Sequence, residues 1–323
     1  MADPSYTIPE HYPRQFSTNF EHVVQQSESK FRGMIDSDAR WTGKNFVFRD
    51  LSTNNWTRND SRGGTTVARE SQASFRQCFK KKVEAEAIEF YDWDEELLAQ
   101  IVHPKSAEME AMRKGYERAF DDLCIEACLE DAYGGPEPHV TTITFPNSQV
   151  IPVNFGTPAA PVAGSNQPLT PWKIMRARRM FEDLNIDLAS EEACIAISAA
   201  ELEDLSVYIS TAPNDTWAKV VGSWLESYQK GDKSAKLFGF TPIVTTRLST
   251  TTTGATSSSY TIRNCVAFLR AGLVKSAAEQ VKSSLDRIPT EKNKLLLQGS
   301  AMVGIGRRRD EKVIKIPCEH LNT

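Results

Sequence analysis

The sequence predicts an α+β chain in which a polar two-stranded ribbon precedes one long helix and a separate α/β region follows. Three observations carry that expectation. Trp41 to Leu51 and Val67 to Val83 read as extended stretches around a polar bend at Asn54 to Gly64, and Pro104 to Ala132 holds a helical apolar stripe. Gly156 to Pro168, with Pro158, Pro161 and Gly164, has the composition of a linker and marks a domain boundary.

The first forty residues mix Pro4, Pro9 and Pro13 with isolated aromatics, so this segment is read as an arm, helical around Phe20 to Lys30. Phe46 and Phe48 share one face of a strand over Trp41 to Leu51, and a second extended stretch lies within Val67 to Val83. Glycine at 63 and 64 permits the positive φ of a tight turn, which makes the pair a long hairpin. In the next element Met109, Met112, Tyr116, Ala119, Phe120, Leu123 and Ala127 recur at three and four residues, and Gly134-Gly135-Pro136 stops the helix. Its length is roughly 40 Å at 1.5 Å per residue.

Val140 to Phe155 reads as a hairpin broken at Pro146-Asn147. From Leu169 to about Lys294 the pattern is α/β: a helix opened by Thr170-Pro171, a strand at Cys194 to Ile197, and a capping box at Ser198 and Glu201. A helix at Asp215 to Lys230 and a strand at Phe238 to Arg247 follow. Ser249 to Ser259 is almost entirely Ser and Thr and reads as an exposed loop. Leu295 to Ile305 and Lys312 to Cys318 read as a closing strand pair that returns to the first sheet.

Charge divides the chain more sharply than hydropathy. Residues 40 to 82 hold ten basic side chains against Asp50, Asp60 and Glu70, a balance of +7. Residues 84 to 137 hold sixteen carboxylates against Lys105, Arg113, Lys114 and Arg118, a balance of −12. Such patches attract within a chain or between copies, and the second outcome makes a polymer. The net charge of −4 argues against a general nucleic-acid binder, which carries a basic surplus. No apolar run approaches the roughly 20 residues of a membrane span, and Met1 to Glu10 lacks the features of a signal peptide, so a soluble protein, cytosolic at synthesis, is expected. At 323 residues with 40% hydrophobic content the chain has room for two domains.

No constellation for catalysis stands out. Gly304-Ile305-Gly306 is half of a dinucleotide fingerprint, without the third glycine or a following helix. The five histidines are dispersed, and Cys124 and Cys128 share a helix face as core residues rather than zinc ligands. Asp92, Asp94, Glu95 and Glu96 read as a charged turn, and Arg307-Arg308-Arg309 as a turn cluster balanced by Asp310 and Glu311 or a phosphate contact. Lys80-Lys81-Lys82 is read as a protein contact. No cofactor, metal site or catalytic residue is expected.

An arm, a projecting ribbon, a long helix, a sheet completed by the C-terminus and a separate α/β domain, in this order, resemble the tailed-bacteriophage major capsid proteins of the Hong-Kong-97-type fold. The likeness includes Gln15-Phe16-Ser17-Thr18-Asn19 and Gln25-Gln26-Ser27-Glu28-Ser29-Lys30, the Asp92-Trp93-Asp94 region, Thr170 to Leu184 and Gly304 to Ile316. It implies an N-terminal arm (1–40), an extended β-hairpin loop (41–83), a peripheral domain (84–168) with its spine helix at 104–132, an axial α/β domain (169–294), and C-terminal strands (295–323) returning to the peripheral domain.

The resemblance implies pentamers and hexamers of the chain closing into an icosahedral shell around double-stranded DNA. Its implied partners are other copies, a separate scaffolding protein (because the arm starts almost at Met1), a portal protein, a possible decoration protein and DNA on the inner face, with assembly in the host cytoplasm and no membrane. The expected contacts between copies are Arg49, Arg58, Arg62, Arg69, Arg76, Phe46 and Phe48 on the ribbon, and Glu108, Glu117 and Asp121 on the helix. The short connection at residues 83 to 104 is expected to keep the ribbon tip off its own helix. The competing class is a monomeric or small-oligomer nucleic-acid packaging or adaptor protein using the ribbon on phosphate.

Overall fold

The computed structural model describes residues 26–51, 73–90, 105–135, 139–157, 160–161, 166–188, 190–211, 215–232, 235–253, 260–277, 280–288, 290 and 294–321. Its strands begin with β1 (Asp36–Asp38), β2 (Asn45–Leu51), β3 (Ala73–Glu84), β4 (Ile88–Phe90), β5 (Ala132–Gly134), β6 (Thr141–Ile143), β7 (Phe155–Thr157) and β8 (Ala160–Pro161). They continue with β9 (Ala193–Ile197), β10 (Phe240–Val244), β11 (Thr250–Thr253), β12 (Tyr260–Leu269), β13 (Leu273–Ser276), β14 (Gln280–Ile288), β15 (Lys294–Arg307) and β16 (Val313–Leu321). The α-helices are α1 (Lys105–Leu129), α2 (Pro171–Asp183), α3 (Ala199–Thr211) and α4 (Thr216–Gln229). The chain divides into two compact units. One comprises Met1–Glu28, Lys82–Ala119 and Gln280–Met302, and the other comprises Ser29–Lys81, Phe120–Glu279 and Val303–Thr323.

In the first unit β15, up to Met302, is the middle strand. β14 runs antiparallel along it from Ile288↔Lys294 to Gln280↔Met302, and β4 pairs through Ile88↔Leu297 to Phe90↔Leu295. Leu297 and Ala301 are buried while Gln298 and Met302 are exposed, the two-residue period of a sheet with one covered face. Lys294 Nζ, 2.6 Å from Glu89 Oε1, fastens the end of the β4 pairing.

The second unit contains two sheets. One joins β1, β13, the end of β15, β3, β5 and β6, with β2 added to β3. β2 and β3 run antiparallel from Asn45↔Phe79 to Leu51↔Ala73, so the root of the ribbon is a hairpin. Its turn at Asn54 to Gly64 lies outside the described residues. The other sheet is centred on β12, which pairs with β16 along one edge and with β9 and β11 along the other; β10 extends it by lying parallel to β9. Every residue of β9 is buried, as the unbroken apolar run Ala193–Ile197 requires. α2 buries Lys173, Ile174, Ala177 and Phe181, one helical face. The capping box of α3 forms as expected: Glu201 Oε2 accepts from the Ser198 N–H at 2.8 Å, and Ser198 Oγ accepts from the Ala200 N–H at 3.2 Å. Asp215 caps α4 by accepting from the Trp217 N–H at 3.2 Å.

Several elements differ from their sequence reading. The described end of the Phe20 to Lys30 segment is not helical, because Asp121 captures the backbone N–H groups of Lys30 and Phe31. α1 ends at Leu129, and Ala132 starts β5, drawn out by pairing with β3 at Arg76↔Gly134. Pro104 lies outside the described residues. β6 and β7, separated by a 3-10 turn at Asn147–Gln149, do not form a hairpin, since β6 pairs with β5 and β7 with β8. Thr250–Thr253 is a strand rather than loop, as four β-branched residues beside β12 allow. Thr170 opens α2 without a side-chain capping bond. β15 and β16 do not pair with each other: β16 joins the β12 sheet rather than returning to the first one, because both its faces are buried there and its apolar pattern selects no partner.

The Gly304-Ile305-Gly306 motif is a packing device. A Cβ on Gly304 would stand 2.4 Å from Trp41 Cζ2, and one on Gly306 would stand 2.2 Å from Cys78 Sγ. Gly304→Val is expected to cost about 1–3 kcal/mol by overpacking. Gly222→Ala, in open space on α4, should instead stabilise by about 0.5–1 kcal/mol; urea unfolding of both variants checks the contrast.

Burial pushes the thiols of Cys78, Cys128 and Cys194 up to about 12 from 9.0. A thiol that keeps its proton when folded but loses it when unfolded contributes stability that is complete below pH 9 and declines as pH rises towards 12. Each contributes a slope of about 1.4 kcal/mol per pH unit. Unfolding free energies measured from neutral pH upward should fall steeply above about pH 9, and less steeply in Cys194→Ala.

Candidate functional site

The root of the ribbon is built on an aromatic cluster. Trp41, Phe48, Cys78 and Val274 are buried together with Phe46 packed against them, and the Phe46 and Phe48 rings meet edge to face at 4.7 Å. The guanidinium groups of Arg40 and Arg308 lie 5.6 Å from the Phe46 centroid and 5.3 Å from the Phe48 centroid. Phe48 is therefore core, while Phe46 remains half-buried.

Most of the described basic side chains of residues 40 to 82 find partners within the chain. Arg40 pairs with Asp38 at 2.8 Å, and Arg76 with Asp310 at 2.7 Å. Lys80 donates to the Thr42 carbonyl at 2.9 Å, and Lys82 pairs with Glu84. Lys81 bridges Glu126 at 2.8 Å and Glu130 at 3.2 Å on α1. Partial burial of its ammonium acts downward on its pKa, but the two carboxylates outweigh that and hold it above the usual lysine range. The Lys80-Lys81-Lys82 run is thus a protein contact inside one chain. Arg309 of the arginine cluster pairs with Asp50 at 3.0 Å, and Arg307 with Asp310 at 2.6 Å. Lys44 and Arg49 are exposed and make no side-chain ion pair or hydrogen bond among the described residues. Arg58, Arg62 and Arg69 lie outside the described residues.

On α1 the three expected contact carboxylates differ. Asp121 is fully buried. It accepts from Ser29 Oγ at 2.5 Å and from the N–H groups of Lys30 at 3.2 Å and Phe31 at 3.3 Å. It anchors the start of the described chain. Its neighbour Asp122 pairs with Arg247 Nη1 at 2.7 Å. Glu108 and Glu117 are half-buried on the preceding turns. Of the ten residues expected to contact another copy, Phe46, Phe48, Arg76, Glu117 and Asp121 have their side chains engaged within their own chain.

The sequence reading passed over Asp310 as the partner of Arg76 and over Asp121 as an anchor. The first had a visible signal in the Arg-rich turn next to two acids. The second had none, since nothing in the pattern separates Asp121 from Asp122. Cys124 and Cys128 are buried, and desolvation raises both thiols. Among the described residues no group of three His, Cys, Asp or Glu side chains is placed to hold a metal, and no helix is long and apolar enough to cross a membrane.

Asp121 thus clamps Ser29 to Phe31 onto α1, and the β2–β3 hairpin stands on a packed aromatic root. The chain superposes on the capsid of Ralstonia phage GP4 with a TM-score of 0.66 at 10% identity, covering 100% of this chain and 99% of that one. For the capsid asymmetric unit of cyanophage Pam1 the score is 0.63 at 10% identity, with 100% of both chains covered. For Mycobacterium phage Che8 it is 0.59 at 10% identity, with 95% and 97% covered. No curated protein matches in sequence. The fold is the α+β, Hong-Kong-97-type capsid fold. A family model described as phage capsid protein matches residues 8–320, and the chain belongs to that family as a major capsid protein whose place is the virion shell, built from copies of itself. The nucleic-acid adaptor reading is not favoured.

Asp121→Ala removes the acceptor of one hydroxyl and two amide donors, and should cost on the order of 3 kcal/mol. Tryptic cleavage after Lys30 and Arg32 should accelerate well before global unfolding, and unchanged cleavage would remove Asp121 from the role of anchor.

Proposed function

We propose that copies of this chain form pentamers and hexamers that close into an icosahedral shell around double-stranded DNA, with the basic ribbon of one copy lying on the acidic helix region of the next. The observation that carries this reading is the division between committed and uncommitted charge. Arg40, Arg76, Lys80, Lys81 and Lys82 are engaged within the chain, whereas Lys44 and Arg49 are exposed and make no side-chain ion pair or hydrogen bond among the described residues. Arg49, Arg58, Arg62, Arg69 and Phe46 are the ribbon's contacts in this reading, and Glu108 and Glu117 are those of the helix.

Each exposed pair contributes about 0–1 kcal/mol, so closure needs several pairs together with apolar contact. Individually weak contacts break and reform, which corrects misplaced copies. The role is structural and involves no catalysis. A separate scaffolding protein, a portal protein and a decoration protein are the remaining proteins of this reading, with DNA on the inner face and assembly in the host cytoplasm.

Electron microscopy of the full chain co-expressed with the genes adjacent to its own should show closed shells. Reversing Arg58, Arg62 and Arg69 to Glu should leave a folded chain that no longer closes. Normal shells from that triple variant would overturn ribbon pairing.

A further inference from the structure

Within the first unit, α1 and the sheet enclose a groove of about 580 Å³. Met109, Met112 and Tyr116 of α1, Ile88 of β4 and Val281 of β14 give it an apolar lining. Met109 is 46% exposed and Val281 is 56% exposed, so large apolar side chains face water here. A built apolar concavity of this size is a binding site more often than a packing accident.

Its rim identifies the occupant. Glu86, Glu108, Arg113 and Lys282 line the groove and make no side-chain ion pair or hydrogen bond among the described residues. Other charges of the same unit are paired, Glu84 with Lys82, Glu110 with Lys114 and Glu89 with Lys294. A small cation would be repelled by two rim groups and a small anion by the other two. Uncommitted charges of both signs around an apolar floor match instead the polar rim and apolar centre of a protein–protein interface. The neighbours of a shell subunit are copies of itself.

We infer that this groove is the docking site for a second copy of the chain. The second copy covers Met109 and Val281 with apolar side chains and pairs its own charges with Glu86, Glu108, Arg113 and Lys282. The inference rests on the self-assembly reading above and gives it a location: the apolar centre that weak ion pairs require lies between α1 and β14.

Ser283→Trp tests it with the full chain. Ser283 is exposed, lines the groove and stands opposite Gly299 in the β14–β15 register, so the indole fills the groove from a surface position. The unassembled variant should keep the wild-type melting temperature, while its assembled fraction in sedimentation velocity falls about tenfold or more, the effect of losing one well-packed contact. Arg113→Glu with Lys282→Glu, two rim residues that ribbon pairing does not use, should give the same loss without touching the floor, and decides the matter if the tryptophan variant misfolds. Wild-type assembly by either variant overturns the inference. So does a lowered melting temperature of folded Ser283→Trp, which would mean that the groove is filled within one chain. If both groove variants assemble while ribbon-tip reversal blocks assembly, the groove is wrong and ribbon pairing stands; if all three assemble normally, both fall.

Discussion

The second unit depends on one buried guanidinium. Arg307 Nη1 donates to the carbonyl oxygens of Cys128 at 2.9 Å and Glu130 at 2.7 Å, and Nε donates to Asp310 at 2.6 Å. Asp310 also accepts from Arg76 Nη2 at 2.7 Å, and the Arg307 guanidinium lies 4.9 Å from the Phe145 centroid. The last carbonyls of a helix have no partner within it, so α1 needs such a donor at its end. A buried charge stripped of one partner costs about 3–5 kcal/mol, which makes the arrangement close to all-or-none. Because Arg76 lies on β3 and Arg307 on β15, the same few atoms fix the helix end, the ribbon root and the turn after β15.

This hub also explains why the charge asymmetry of the sequence means something different in the structure. A +7 stretch beside a −12 stretch reads as two faces awaiting partners. Lys81 between Glu126 and Glu130, and Arg76 on Asp310, show that much of the attraction holds the ribbon root to its own chain. Among the described residues of these two stretches, Lys44 and Arg49 on the ribbon side and Glu86, Glu108, Arg113 and Asp131 on the acidic side make no side-chain ion pair or hydrogen bond. Few uncommitted charges suit a subunit that must associate reversibly, since exposed pairs are screened beyond about 8 Å at physiological salt.

What the sequence made legible follows from the range of each interaction. α1 was visible in its three-and-four spacing, α3 in Ser198 and Glu201, and β9 in five consecutive small or branched apolar residues, all local patterns. The hairpin root was visible because Asn45 to Phe48 is rich in aromatic and β-branched residues, with Phe46 and Phe48 two apart on one face. The partners of β6 and β16 were not visible, because strand pairing is a choice among distant segments that a two-residue period leaves open. Asp121 was missed for the same reason: its ligands are Ser29, Lys30 and Phe31, some ninety positions away.

Gly304 and Gly306 show how a local rule can mislead and still mark the right residues. Two glycines one residue apart usually mean that something approaches the backbone closely, and a phosphate is one such visitor. Here the visitors are the Trp41 indole and the Cys78 thiol, which press β15 against the root of the ribbon. The result bears on assembly through entropy. Ordering a loose segment on binding costs about 0.5–1.5 kcal/mol for each rotamer-rich side chain fixed. A ribbon whose root is already packed on Trp41, Phe48 and Cys78 avoids that cost for its first strand residues, so less of the binding energy of several weak ion pairs and their apolar contacts is lost to ordering.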